Sequence, residues 1–507
     1  MTRGDRLGPP PGLIKVIVTS STGTLIEWYD FYLFASLATI LAPQFFPGDR
    51  NSGLLQYLGT FATGMIIRPF GAVIFGRMGD MIGRKHTFLL TLAMMGTCST
   101  AIGLLPGYKT IGGFAPILLI LLRLVQGLAL GGEYGGAATY VAENAPPTRR
   151  GFYTSFIQIT ATLGVLISLL LILALRSRFG EAAFADWGWR IPFLLSGILV
   201  IFSYLVRRTM AESPLFAELK ARGATSKNPL VESFKNPENR RKVLIALFGL
   251  TAGQGVVWHT GHFYSLFFLQ TTLYVRMPMA NQIVAWALVF GAPFFIVFGA
   301  LSDRIGRKKI VMTGLALAVL GYFPIYSTMQ NLATFDANNH EIPVIQRTVS
   351  TDPADHTRVV TKQVEMTDTA GVTDTTVYHI DPRRPASAIA EELTHSVVTV
   401  PPRIFWLLVG LVWIQILFAT MVYGPMAAFL VEMFPTRIRY TSLSVPYHLG
   451  NGVFGGLVAL VSTWLVTRTH IAVSGVLYPV AVAAMTLVVG MLLVRETLGT
   501  DPNEAET

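Results

Sequence analysis

The sequence predicts an all-α membrane protein. Twelve transmembrane helices are expected in two pseudo-symmetric six-helix bundles, with a small extracytoplasmic insertion after the ninth helix. Three observations predict it. Of 507 residues, 52% are hydrophobic and 13% charged, too apolar a balance for an ordinary soluble globule. Apolar stretches approaching the ~20 residues that cross a bilayer recur about twelve times. The ten residues from Gly76 to Lys85 also return 223 positions later as Gly299 to Lys308, so that Asp80, Gly83 and Arg84 match Asp303, Gly306 and Arg307. Each copy sits between two apolar stretches. A duplicated membrane chain points to a transporter whose substrate site lies between its halves.

The first bundle, 1–208, takes its helices from stretches near 14–43, 54–78, 87–106, 114–143, 153–176 and 189–207. The first is too long an apolar run for the core of a cleavable signal peptide, so none is expected. The third carries the lone Cys98, which excludes an intrachain disulfide. A polar segment, 209–241, with Asn-Pro steps at Asn228 and Asn236, reads as a cytoplasmic linker with short amphipathic helices. The second bundle, 242–497, follows with stretches near 242–270, 282–302, 309–329, 404–432, 442–467 and 475–495. The seventh is the least regular, interrupted by glycines and two histidines. Within this bundle, 331–401 is an insertion rich in Thr and Asp. Alternation in Val359–Glu365 and Thr375–Ile380 favours a β-rich cap, and its polarity suits a solvated loop equally well. His340, His356, His379 and His395 lie in it without metal-ligand spacing, and no metal or other cofactor is expected.

The net charge of +10 could suggest nucleic acid, but its distribution argues against that partner. Connections on one side of the twelve-helix scheme hold 20 basic residues, and the short loops on the other hold 6. This is the positive-inside bias, and it places both termini in the cytoplasm of a multi-pass protein in the lipid bilayer.

Ionisable groups inside hydrocarbon are costly unless paired or lining a wet cavity, so they mark function. Glu27 and Asp30 share one face of the first helix at i and i+3. At ~1.5 Å per residue Asp30 and Arg68 lie at about the same depth, which makes Arg68 on the second helix a candidate partner. The fourth helix adds Arg123 and Gln126, with Glu133 nearer the inner face. A carboxylate beside an arginine keeps its charge, whereas one separated from it and desolvated takes up a proton. Asp30, Glu27, Arg123 and Glu133 are therefore candidates for proton coupling, against the alternative of static buried ion pairs. Arg68, Arg123, Gln126, Gln254, Trp258, His259, His262, Tyr423 and Asn451 are candidates for the substrate cavity, with Gln415, Tyr447 and His448 as further polar groups. The two histidines also read as structural groups beside aromatics. Gly76, Asp80, Gly83 and Arg84, with Asp303, Gly306 and Arg307, form gating loops. The glycines allow a tight turn, and Asp80 can bond Arg84 or a facing helix N-terminus.

Both loop copies, with Arg123 and Gly127 on the fourth helix, resemble the major facilitator superfamily. Gly23 with Glu27-Trp28-Tyr29-Asp30-Phe31, Arg68-Pro69-Phe70-Gly71, Gln126-Gly127 with Gly131-Gly132-Glu133, and Glu432 with Phe434-Pro435, Arg437 and Arg439-Tyr440 resemble its metabolite:proton symporter family. The resemblance covers nearly the whole chain except 331–400. It implies two six-helix bundles, alternating access, proton-coupled uptake of organic acids or of osmolytes such as proline and betaine, and a coupling pair at Asp30 and Arg123. The expectation is a bacterial inner-membrane symporter, a monomer, taking a small organic anion and protons. A zwitterionic osmolyte is the alternative, as is a transporter-like sensor reading ligand through the insertion. Phosphate-binding loops and nucleophile elbows are absent from the sequence, so an enzyme is not expected.

Overall fold

A computed structural model describes residues 13–47, 50–207, 221–222, 226, 228–339, 341–351, 358–380 and 392–500. Six helices form the N-terminal half: α1 (Leu13–Ser36), α2 (Ser52–Met81), α3 (Arg84–Leu104), α4 (Phe114–Asn144), α5 (Arg150–Phe179) and α6 (Arg190–Arg207). Six more form the C-terminal half: α7 (Pro237–Thr272), α8 (Met277–Ile305), α9 (Arg307–Ala333), α10 (Pro402–Met433), α11 (Arg439–Thr469) and α12 (Leu477–Leu493). Among the described residues nine helices are long and apolar enough to span a membrane, or eleven if two bent pairs count as single spans. One such pair is α1 with its continuation Ala38–Phe45, bent by 67°, where the sequence predicts one helix.

Glycine sets the closest helix approach. The α2 and α4 backbones meet at Gly64 and Gly127, where a Cβ on Gly127 would overlap the Gly64 carbonyl. The irregularity expected of the seventh helix takes a definite form. Three π-helical turns widen α7, at Leu247–Thr251, Thr260–Tyr264 and Phe268–Thr272, and a fourth lies in α11 at Leu449–Gly455. Such turns re-aim side chains and cluster at functional sites.

The Asn-Pro steps prove to be helix starts. Asn228 and Asn236 cap Pro229–Lys235 and α7, their side chains accepting from Val231 and Glu238 N–H, with proline at the first helical position. Helix α7 thus begins inside the segment read as a linker, most of whose earlier part lies outside the described residues.

Between α9 and α10 the chain forms an antiparallel sheet in the order β1 (Val344–Thr351), β2 (Arg358–Thr367), β3 (Thr373–Ile380) and β4 (Glu392–Thr399). Of the two readings of the insertion, the β-rich one describes these strands. The sheet is stitched to the α7–α8 loop: Val398 N–H donates to Tyr274 O (2.8 Å) and Arg276 N–H to Val398 O (2.9 Å). Tyr274 sits there at φ +54°, a conformation that its bonded neighbours hold. His340 and His356, with the side chains of His379 and His395, lie outside the described residues.

Candidate functional site

Every residue proposed for coupling or substrate contact is at most 4% exposed. The centre is therefore shut off from solvent in this conformation. Asp30 (α1) does not pair with Arg68, as their matched depths suggest. Its Oδ1 accepts from Ser196 on α6, and Ser99 on α3 lies beside it. From Ser99 a line of bonds leads to the arginine on α4. Arg123 Nη1 donates to Gln126 Oε1 (2.5 Å), and Gln126 Nε2 donates to Ser99 Oγ (2.8 Å). Asp30 Oδ2 and Arg123 Nε and Nη2 have no hydrogen-bond partner among the described residues. Asp30 and Arg123 are coupled through space rather than by a direct ion pair.

Arg68 belongs instead with Glu27, in electrostatic reach of it and of Tyr423 and Tyr447. Both arginines lie over Phe31, with guanidinium carbons 4.7 Å (Arg68) and 4.6 Å (Arg123) from the ring centroid. Arg68 Nε and Nη2 also lack partners among the described residues. Glu133 is elsewhere. Ten residues beyond Arg123 on α4, it lies ~15 Å further along the axis, next to Gly132, whose carbonyl accepts from Tyr440 on α11.

The seventh-helix residues reach these groups through aromatic contacts between the halves. Trp258 lies 4.5 Å from Trp28 between ring centroids, and Phe263 stacks on Tyr32 at 4.0 Å. His262 is fully engaged, its Nδ1 bonded to Trp258 O (3.0 Å) and its Nε2 to the Thr162 hydroxyl of α5 (3.1 Å). His259 bonds Gly255 O through Nδ1 (2.8 Å), while its Nε2 has no partner among the described residues. Gln254 and Asn451 close on each other through both amides (2.8 and 3.2 Å), tying α7 to α11. Tyr423 shares a 2.6 Å hydroxyl contact with Tyr447, which stacks on Tyr134 of α4 at 3.5 Å.

The repeated loops close one end. Asp80 accepts from the N–H (3.0 Å) and hydroxyl (2.7 Å) of Thr441 in the first turns of α11. Asp303 accepts from the N–H groups of Gly151 (2.9 Å) and Phe152 (2.8 Å) at the start of α5. Arg307 bridges Asp303 (2.6 Å) and Glu432 (3.2 Å), and Arg439 bonds Glu143 at 3.1 Å. Gly83 and Gly306 turn the chain with φ of +132° and +106°. Gly76 lies against Thr441. The Arg84 side chain lies outside the described residues.

Sequence reasoning missed Ser99, Ser196 and Thr162. Hydroxyls are common in apolar helices, and nothing in their spacing separates these three from the rest.

Two helical halves closing on a buried charged centre define a transporter rather than an enzyme. The family model described as sugar (and other) transporter matches residues 15–243. The chain is 32% identical to the inner membrane metabolite transport protein YhjE of Escherichia coli (strain K12) over 493 residues, 95% of this chain and 94% of that protein. It is 38% identical over 322 residues to the alpha-ketoglutarate permease of the same strain, covering 63% of this chain and 73% of the permease. The fold is that of the proton:xylose symporter XylE from E. coli, with TM-score 0.68, 16% identity, and 97% and 98% of the two chains covered. The chain belongs to the major facilitator superfamily, in its metabolite:proton symporter family.

Proposed function

We propose that this protein is a secondary symporter carrying a small organic acid inward with protons by alternating access. It would act in a bacterial inner membrane, as a monomer, with the loop end and both termini on the cytoplasmic side. One observation carries the substrate class. Arg68 and Arg123 are buried, and each has Nε and Nη2 without partners among the described residues. Those two N–H groups form the edge of a guanidinium that grips a carboxylate by two parallel bonds.

Coupling follows from the line Asp30–Ser99–Gln126–Arg123. A proton at Asp30 Oδ2 removes the charge that attracts Arg123, and the substrate carboxylate then supplies the counter-charge that a buried guanidinium demands. Loss of the proton returns Arg123 to Asp30 and weakens the hold on substrate. Rocking of the two halves about the centre would expose it alternately to each side.

The test is proteoliposomes holding a trapped pH-sensitive dye, given pools of carboxylates and then of betaines. Internal acidification with a carboxylate is the expected result. Acidification with betaines alone, or with neither pool in vesicles of folded protein, sinks the reading. Asp30→Asn is expected to abolish uphill accumulation while substrate exchange persists in part. Full uphill uptake by that variant removes Asp30 from the coupling role.

A further inference from the structure

Around Arg68 several buried nitrogens lack partners among the described residues: Arg68 Nε and Nη2, Trp258 Nε1, His259 Nε2, and both ring nitrogens of His448. Each of these side chains is at most 1% exposed. Buried polar groups are normally bonded, and a concentration of orphans marks a place where something else completes them. The groups are contiguous. Arg68 lies over Trp28 (5.4 Å), Trp28 packs on Trp258 (4.5 Å), and Trp258 packs on His259 (5.1 Å). Along α11, Gly452 meets Arg68 and Gly455 meets the His259 ring, with His448 one turn earlier. Arg68 is in electrostatic reach of both histidines.

The unpaired atoms differ in what they require. The Nε/Nη2 edge of Arg68 requires a carboxylate. Trp258 Nε1–H is a donor only. His259 is the discriminating group. Its Nδ1 faces the Gly255 carbonyl, so Nδ1 carries the hydrogen and Nε2 of the neutral ring is a lone pair. A lone pair is completed only by a ligand group that bears hydrogen. An ammonium is disfavoured there by the Arg68 charge, and a quaternary betaine nitrogen has no hydrogen to give. An oxo group has none either. A hydroxyl satisfies Nε2 and at the same time accepts from a neighbouring donor such as Trp258 Nε1–H.

Resting on the reading of the centre as a carboxylate site, we infer that the substrate is a hydroxy acid, its carboxylate on Arg68 and its hydroxyl donating to His259 Nε2. A site built to bond a hydroxyl rejects the analogue that lacks it, because its own polar group is then buried unpaired.

The experiment uses matched pairs on the purified full chain, followed by tryptophan fluorescence: 2-hydroxyglutarate against 2-oxoglutarate, malate against oxaloacetate, and lactate against pyruvate. In at least one pair the hydroxy member is expected to bind about tenfold more tightly, the worth of one buried hydrogen bond. His259→Phe should bring that ratio close to one, and His259→Gln, which restores an acceptor, should recover part of it. Equal or tighter binding of the oxo member in every pair overturns this inference and leaves the carboxylate reading standing. A preference that survives His259→Phe unchanged overturns the role of His259. Binding of neither member of any pair overturns the carboxylate reading and this inference together.

Discussion

The two copies of the loop motif do the same work by different means. Asp303 caps α5 through two backbone N–H groups, those of Gly151 and Phe152, and is held in place by Arg307. Asp80 bonds α11 through one backbone N–H and one side chain, both belonging to Thr441. Each carboxylate sits at the positive end of a helix in the opposite half, so the loops latch the halves together at one end. The difference is one of dependence. The Asp303 latch asks nothing of the partner's side chains, whereas the Asp80 latch fails in part if residue 441 loses its hydroxyl. The second copy sits in a charged network. Arg307 links Asp303 to Glu432, which accepts from the Thr497 hydroxyl, and Glu496 caps the start of α9 through the N–H groups of Arg307 and Lys308.

The comparison can be broken by labelling cysteines introduced behind each latch, at Ser155 and Ser444, in a Cys98→Ser background. Asp303→Asn should have a large effect. It weakens two charge-assisted bonds, each worth about 1.5–3 kcal/mol, and its ion pair, so labelling at position 155 should rise at least tenfold. Asp80→Asn should likewise raise labelling at position 444. Thr441→Val, which removes one hydroxyl bond to a charged acceptor, worth about 1.5–3 kcal/mol, and keeps the backbone one, should give a rise of about tenfold. Phe152→Leu should give almost none, because Asp303 bonds that residue through its backbone. If Phe152→Leu opens the rim more than Thr441→Val does, the contrast between backbone and side-chain latching is wrong.

The latches were legible in the sequence because a motif that returns at matching places in a duplicated chain announces a shared role. The sequence offers Asp80 either Arg84 or a facing helix N-terminus; the start of α11 supplies two bonds through Thr441, a residue the sequence does not single out, and the Arg84 side chain lies outside the described residues. The twelve helices were legible for the same kind of reason, since apolar length is a one-dimensional property. Partnership inside the bundle was not. Depth along a helix places Asp30 level with Arg68, but depth carries no azimuth, and Asp30 turns towards Ser99 and Ser196 while Glu27 answers Arg68. The two histidines looked equivalent at one-turn spacing. Only the position of Thr162 on another helix shows that, among the described residues, His262 is fully bonded and His259 is not.

The stitching of β4 to the α7–α8 loop has a mechanical consequence. Strand β1 follows α9, β4 runs into α10, and Val398 is bonded on both sides to Tyr274 and Arg276. A sheet tied in this way would act as a splint across this rim, linking the ends of α7, α8 and α10. Opening of the C-terminal half there by fanning its helix tips apart would have to break these bonds. Any bending would then fall in the shafts, and in α7 the widened turn at Thr260–Tyr264 lies directly beside His259.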